Sequence, residues 1–230
     1  MPPTRASTVP GPALTVDVVV LTVLDRELMV VLHQRPEAPF AGSWALPGGF
    51  CGLDESLESA ARRVLGAKAG IHDVFLEQLY TFGAVHRDPR FRVVTVAWIA
   101  LVDSVRLKGP NHLARIEVPW EGETGGPVDL FVDSSRIEPA FDHDAIIGMA
   151  VKRLRGKLDY TPIGFQLLGS TFTLNQLRHV HETILGKPLN KDSFRRRMLA
   201  TGHLEATGDR EEDVGHRPAA LYRFVRRSAL

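Results

Sequence analysis

GGFCGLDESLESAARRVLGAKAGI, residues Gly48 to Ile71, is the stretch on which the fold turns. It opens as a glycine-rich turn and continues as a helix. Leu57, Ala60, Ala61, Val64 and Leu65 recur at helical spacing to form an apolar stripe, and Gly70 stands where a helix ends. Positions 64, 67 and 68 are spaced i, i+3, i+4 and share one helix face. They hold Val64, Ala67 and Lys68, a face without an anionic oxygen. Magnesium needs hard oxygen ligands in near-octahedral array, so this face offers it nothing, and the Lys68 ammonium repels it.

On either side of this helix lie apolar, β-branched runs. Leu14 to Leu24 (LTVDVVVLTVL) and Leu28 to His33 are joined by Asp25-Arg26-Glu27, which reads as a hairpin. Gln34 to Leu46 follows as an irregular loop with Pro36, Pro39 and Gly42. Further strands are predicted at Glu77 to Phe82 and Arg92 to Val102, the latter (RVVTVAWIALV) apolar enough to be buried on both faces. Strands interleaved with one long helix make an α/β sandwich. Residues 119–129 (PWEGETGGPVD) read as an exposed loop. Phe141 to Leu158 is predicted to be a helix that bridges two domains. Asp142 and Asp144 stand near its start and Lys152 to Lys157 near its end, the order that suits the helix dipole. His143 and Asp144 read as part of its N-terminal cap rather than as metal ligands.

The chain has 230 residues, 44% of them hydrophobic, enough for a core. A single cysteine, Cys51, excludes an intramolecular disulfide framework, and no apolar run is long enough to span a bilayer. A soluble, cytoplasmic protein is expected. The first twelve residues, MPPTRASTVPGP, read as a mobile tail. The net charge of +1 hides a split. Residues 1–151 hold 13 Lys/Arg against 19 Asp/Glu, a net of −6, while residues 152–230 hold 15 against 8, a net of +7. Two domains with different partners follow, the basic one suited to a polyanion such as nucleic acid.

The basic part carries its own pattern. Thr173-Leu174-Asn175-Gln176 has the form of a capping box and opens a helix to Leu185, with Leu177, Val180 and Ile184 inward. After the turn Gly186-Lys187-Pro188-Leu189, Asn190 caps a second helix through Ala200, and Gly202 ends it. Two short helices about a tight glycine-containing turn make a helix-turn-helix, and the strand–loop–strand pattern of HLEATGDREEDVGHRPAALYRFV has the form of a wing. On the second helix Phe194, Met198 and Leu199 mark the expected buried side. Ser193 and Arg196 point outward as candidate base contacts, with Asn190 and Lys191 at the exposed N-terminus; Lys191, Arg195, Arg197 and the wing residue Arg217 are candidates for phosphates.

The stretch from Gly48 to Ile71 resembles the Nudix signature, in words Gly, five residues, Glu, seven residues, then Arg-Glu-apolar-x-Glu-Glu-x-Gly-apolar. Gly49, Glu55, Arg63, Leu65, Gly70 and Ile71 fall on signature positions, whereas Val64, Ala67 and Lys68 occupy the places of the family's metal-binding glutamates. The whole chain after the tail resembles the Nudix-related transcriptional regulators of NAD metabolism, the NrtR-type repressors. RDPR (Arg87 to Arg90), FDH (Phe141 to His143), YTPIGF (Tyr160 to Phe165), FRRRM (Arg195 to Arg197 between Phe194 and Met198) and RPAALYRF (Arg217 to Phe224) carry that resemblance. It implies a Nudix-like α/β/α sandwich over residues 13–141 that senses a ligand, a bridging helix over 142–158, and a C-terminal winged helix-turn-helix DNA-binding domain over 159–230. It further implies a homodimer on a palindromic operator in double-stranded DNA, repressing NAD biosynthesis or salvage genes and released by ADP-ribose or a related NAD metabolite. No cofactor and no metal are expected. In such dinucleotide binders the region after the signature faces the ligand, which makes Arg35, Arg87, Arg90 and Arg92 candidates for the pyrophosphate and Trp44 or Phe82 for the adenine, with Gly49, Glu55 and Lys68 from the signature itself. The alternative is a pyrophosphohydrolase of ADP-ribose-like substrates, against which the three lost glutamates speak.

Overall fold

The apolar run of strand β1 (Ala13–Leu24) sits at the centre because both its faces have a layer to pack against. In the computed structural model, which describes residues 11–107, 112–212, 215 and 217–225, β1 pairs with β2 (Glu27–Gln34) across a two-residue turn. Asp25 and Arg26 both take positive φ, 51° and 63°, the backbone twist a tight hairpin needs, here without glycine. The short strands β3 (Trp44–Ala45) and β4 (Gly48–Phe50) pair with β2 and β1 and bring the chain to helix α1 (Leu57–Ala69). Ser56 caps α1 by accepting from the Ser59 N–H, and Gly70, at φ 64°, ends it as expected.

Strands β5 (Phe75–Phe82) and β6 (Val93–Leu101) follow, β6 lying parallel to β1. Three strands that the sequence did not reveal, β7 (His112–Glu117), β8 (Asp129–Val132) and β9 (Ser135–Ile137), extend the far edge. The order is β5-β6-β1-β2-β7-β8-β9. Alternation then assigns the layers. Val16, Val18 and Val20 of β1 with Val96, Trp98 and Ala100 of β6 pack on Ala60, Ala61, Val64 and Leu65 of α1. Val19 and Leu21 with Ala97 and Ile99 pack on Ile146, Ile147, Ala150 and Val151 of helix α2 (His143–Lys157). This is an α/β/α sandwich, and β6 is buried on both faces as its unbroken apolar run foretold. Helix α2 is itself one of the two covering layers, not a free-standing connector.

The winged helix begins with a 3-10 turn (Pro162–Leu167) and strand β10 (Phe172–Thr173), then α3 (Leu174–Leu185), α4 (Lys191–Ala200), β11 (Leu204–Arg210) and β12 (Ala220–Phe224). The capping box is present in full: Thr173 Oγ1 accepts from the Gln176 N–H at 3.1 Å, and Gln176 Oε1 accepts from the Thr173 N–H at 2.7 Å. Phe165, Phe172, Leu177, Phe194, Met198 and Tyr222 form a separate small core. Leu199 is a correction: it is 42% exposed, because a ten-residue helix seals its core with Phe194 and Met198 and Leu199 lies past the edge of that stripe. Residues 1–10 of the expected tail and 213, 214 and 216 of the wing lie outside the described residues.

His181 of α3 is sealed between these elements, its ring edge-on to Phe194 at 5.1 Å and its Nδ1 without a hydrogen-bond partner among the described residues. Burial, and then the charge of Arg197, push its pKa from 6.5 down to about 4, against the opposing pull of Asp159. The unfolded chain therefore takes up the proton first. Stability is complete above pH 6.5 and is lost as pH falls toward 4. Urea titrations at pH 7 and pH 5 should show this loss, and His181→Leu should shrink it; an equal loss in that variant would rule His181 out as a source.

Candidate functional site

The loop after β2, strand β4, the last turn of α1, the segment 87–93 and the start of α2 converge on a cavity of about 320 Å³. Its floor is Asp17, the one charged residue in the apolar run of β1, 7% exposed. Gly48 lies directly against it, where a Cβ would come within 2.0 Å of Asp17 Oδ1, so β4 passes at this register only as glycine. Arg87 is buried beside Asp17 at 3.5 Å and donates to Asp142 from Nε at 2.9 Å and Nη2 at 2.6 Å. Burial works against its charge, yet the bonds and charges of Asp142 and Asp17 outweigh it and raise the Arg87 pKa. His143 Nδ1 accepts from the Leu46 N–H at 3.0 Å, and its Nε2 lies 3.7 Å from Asp17 Oδ1. Burial lowers the His143 pKa despite the opposing charges of Asp17 and Asp142.

The open side of the cavity is cationic. Among the described residues Arg35 donates only to backbone carbonyls, Pro39 at 2.8 Å and Glu37 at 3.4 Å, and its guanidinium lies 4.8 Å from the centre of the Phe141 ring. Lys68 makes no hydrogen bond or ion pair among the described residues; desolvation first, then Arg35, lower its pKa, while Asp17 opposes. His33 is driven to about 4 by burial and by the charges of Lys68, His143 and Arg35. Arg90 is held by Asp88 through Nε at 3.0 Å and Nη2 at 2.8 Å. Two rings, Phe50 and Phe141, lie in the wall.

Of the residues singled out from sequence, Arg35, Gly49, Lys68, Arg87 and Arg90 are brought together here. Four are not. Trp44 packs edge-on to His112 at 4.7 Å, and Phe82 on Tyr80 at 5.4 Å. Arg92 donates to the Ala84 carbonyl at 2.8 Å, and Glu55 accepts from Arg63 at 2.5 and 2.9 Å and from the Gly52 N–H at 2.6 Å. The Arg63 bonds hold the Glu55 pKa at about 2. Reasoning from sequence missed Asp17 and Phe50 and took His143 for a cap; a lone aspartate inside a run of valines was the signal for the first.

A divalent metal does not fit this cavity. Val64 is 2% exposed and packs within 3.1 Å of where a Gly49 Cβ would be, Ala67 does not line the cavity, and the remaining signature glutamate is engaged by Arg63. Among the described residues no group of three or more His, Cys, Asp or Glu is placed to hold an ion.

A second surface lies on the winged helix. Between the start of α3, α4 and the wing runs a groove of about 560 Å³ that Arg178, Lys191, Arg195, Arg210 and Arg217 line. Arg178 and Arg210 were not foreseen. Asn190 is spent on capping, accepting from the Ser193 N–H at 3.0 Å. Ser193 and Arg196 are exposed, and Arg196 makes no hydrogen bond or ion pair among the described residues, while Arg197 is turned back to Asp159 at 3.1 Å.

Between the two surfaces stands α2. Phe141 to His143 at its start border the cavity, and Arg155 near its end is buried against α3, donating to the carbonyls of Ile184 at 2.8 Å, Trp120 at 3.1 Å and Gly122 at 3.3 Å. Val180 and Ile184 of α3 belong to the same core as Ile146, Ala150 and Leu154 of α2.

Comparison with known proteins matches residues 13–122 to the NUDIX domain and residues 164–224 to the NrtR DNA-binding winged helix domain. The chain is 38% identical over 223 residues to the ADPR responsive transcriptional repressor NtrR of Acinetobacter baylyi, a span of 96% of this chain and 85% of that protein. Shewanella oneidensis NrtR complexed with a 27mer DNA superposes with a TM-score of 0.75 at 36% identity, covering 92% of this chain and 93% of that one. The NUDIX domain of the same protein complexed with ADP ribose superposes with a TM-score of 0.51 at 33% identity, covering 66% of this chain and 94% of that one.

Proposed function

Because the chain belongs to the NrtR family, a Nudix domain joined to a winged helix, we propose that it is a transcriptional repressor that binds an operator through α4 and the wing and is released when ADP-ribose or a related NAD metabolite fills the cavity. Genes of NAD biosynthesis or salvage are its targets in this reading. The observation that carries it is the single helix α2, which borders the cation-lined cavity at one end and grips α3 with Arg155 at the other. A ligand that draws Arg87 away from Asp142 acts on the first turn of α2, and α3 shares a core with its last.

The relatives bear on chemistry as well. The chain is similar over nearly its whole length to a repressor, and the donor set supports a domain that binds without hydrolysing, since pyrophosphate hydrolysis needs charge neutralisation and an activated water, and no group of carboxylates or histidines among the described residues is placed to hold the metal that would supply them. No helix of the described residues is long and apolar enough to cross a membrane.

The test is a gel-shift titration on DNA upstream of the chain's own and neighbouring genes. A retarded complex that dissolves as ADP-ribose is added, with no ADP-ribose consumed in the presence of Mg²⁺, is the expected result. Equal binding to unrelated DNA, or a complex that saturating ADP-ribose leaves intact, would overturn the proposal.

A further inference from the structure

We infer that Lys68 takes the place of the divalent cation in this cavity, so that the pyrophosphate of a dinucleotide binds the chain without metal, one phosphate facing the Lys68 ammonium and the other the Arg35 guanidinium. The inference rests on the reading of the cavity as the ADP-ribose site and adds to it the chemistry of recognition.

A charge inventory of the cavity leads there. Asp17 is engaged by Arg87, with the His143 ring 3.7 Å away, and Asp88 by Arg90. Glu37 remains at the rim as a carboxylate without an ion pair among the described residues, and one carboxylate does not assemble a magnesium shell. On the other side of the inventory stand two cations with no carboxylate within ion-pairing distance among the described residues, Arg35 and Lys68. They lie close enough to repel each other, and their charges add to burial in lowering the pKa of His33. Two cations without an ion-pair partner among the described residues, facing one cavity, are an arrangement that an anion stabilises. A pyrophosphate carries a negative charge on the oxygens of each of its two phosphates and matches it.

The scaffold around Lys68 points the same way. The metal-binding position at 64 is filled by a valine packed into the layer with Val16, Val18 and Val96, so no carboxylate fits there without burial in an apolar cluster. Helix α1 nevertheless keeps its cap and its Gly70 stop, which hold position 68 at the cavity wall. Arg63, bonded to Glu55 and to the Phe50 carbonyl, fastens the β4–α1 turn.

Titration calorimetry of the full chain with ADP-ribose, in EDTA and in Mg²⁺, tests this with Lys68→Met and Lys68→Arg beside the parent. Parent affinity is expected to agree within about twofold in the two buffers, well short of the tenfold step worth 1.4 kcal/mol. Removing one charge-assisted bond should weaken Lys68→Met roughly 10- to 100-fold in both buffers. Lys68→Arg should retain most of the affinity, and operator binding without ligand should be unchanged in all three, which reports that each is folded. Parent binding that needs Mg²⁺, or Lys68→Met binding as tightly as the parent, overturns the role of Lys68 while leaving the ligand reading in place. Absence of ADP-ribose binding by the folded parent in either buffer overturns both.

Discussion

Arg155→Met is expected to lower the stability of the chain by about 2–5 kcal/mol, because three carbonyls lose their donor, that of Ile184 in a buried seam and those of Trp120 and Gly122 at its half-buried margin. The residue is 7% exposed and its guanidinium has no carboxylate partner among the described residues; burial lowers its pKa. It stays there because its bonds are well placed. The Ile184 carbonyl belongs to the last turn of α3, where a helix lacks internal donors and its dipole favours a cation. The Trp120 and Gly122 carbonyls belong to an irregular loop of the sandwich, and the guanidinium lies 4.8 Å from the centre of the Trp120 ring. Methionine keeps the volume and removes every bond. Urea unfolding followed by two probes, one for the sandwich and one for the winged helix, should show a single transition in the parent and two in the variant. If the α2–α3 seam carries the ligand's effect, the ratio of operator affinities without and with ADP-ribose also narrows. A variant that unfolds in one step at the parent's midpoint would show that Arg155 does not hold the two units together.

Much of this arrangement was legible in the sequence. Patterns set by near neighbours along the chain were the readable ones: the β1 and β6 runs, the α1 stripe with its glycine stop, and the Thr173–Gln176 capping box. The strands β7, β8 and β9 were missed because HLARIE, DLFV and SRI are short and bury at most two side chains each, Ala114 and Ile116 in β7 and Leu130 in β8, with Ile137 of β9 packed against the core, too few to set a readable alternation. Side-chain destinations were harder still, since they depend on partners far along the chain. Trp44 and Phe82 have the right chemistry for a nucleobase, but the core claims both, whereas Phe50 and Phe141 line the cavity. Glu55 keeps its signature position and is held there by Arg63 eight residues on. Arg87, read as a free phosphate fork, is bound to Asp142, 55 residues away.

Arg196→Ala is expected to weaken operator binding by roughly 1–3 kcal/mol and to flatten discrimination against mismatched sites, the behaviour of a side chain that reads a base edge. Its exposure on α4 and the absence of any ion pair among the described residues leave its fork available, and Ser193 one turn earlier shares its face. Arg197 separates from it. The sequence alone makes it a phosphate contact whose loss lowers the salt slope by about one, but its bond to Asp159 at 3.1 Å means that DNA must compete with a partner already in place, so Arg197→Ala should change the slope by less than that. Arg195 and Lys191, which face the groove with Arg178 and Arg210, are expected to carry the larger salt dependence. A two-fold dimer would set two copies of α4 in successive major-groove turns, with half-sites one helical repeat apart at about 34–36 Å or a multiple of it. Fluorescence anisotropy across a salt series, on the operator and on single-base mismatches, distinguishes these roles. Parent-like affinity and discrimination in Arg196→Ala, in Arg197→Ala and in the double variant would mean that α4 does not read the operator, and the assignment of the recognition surface would pass to another face of the winged helix.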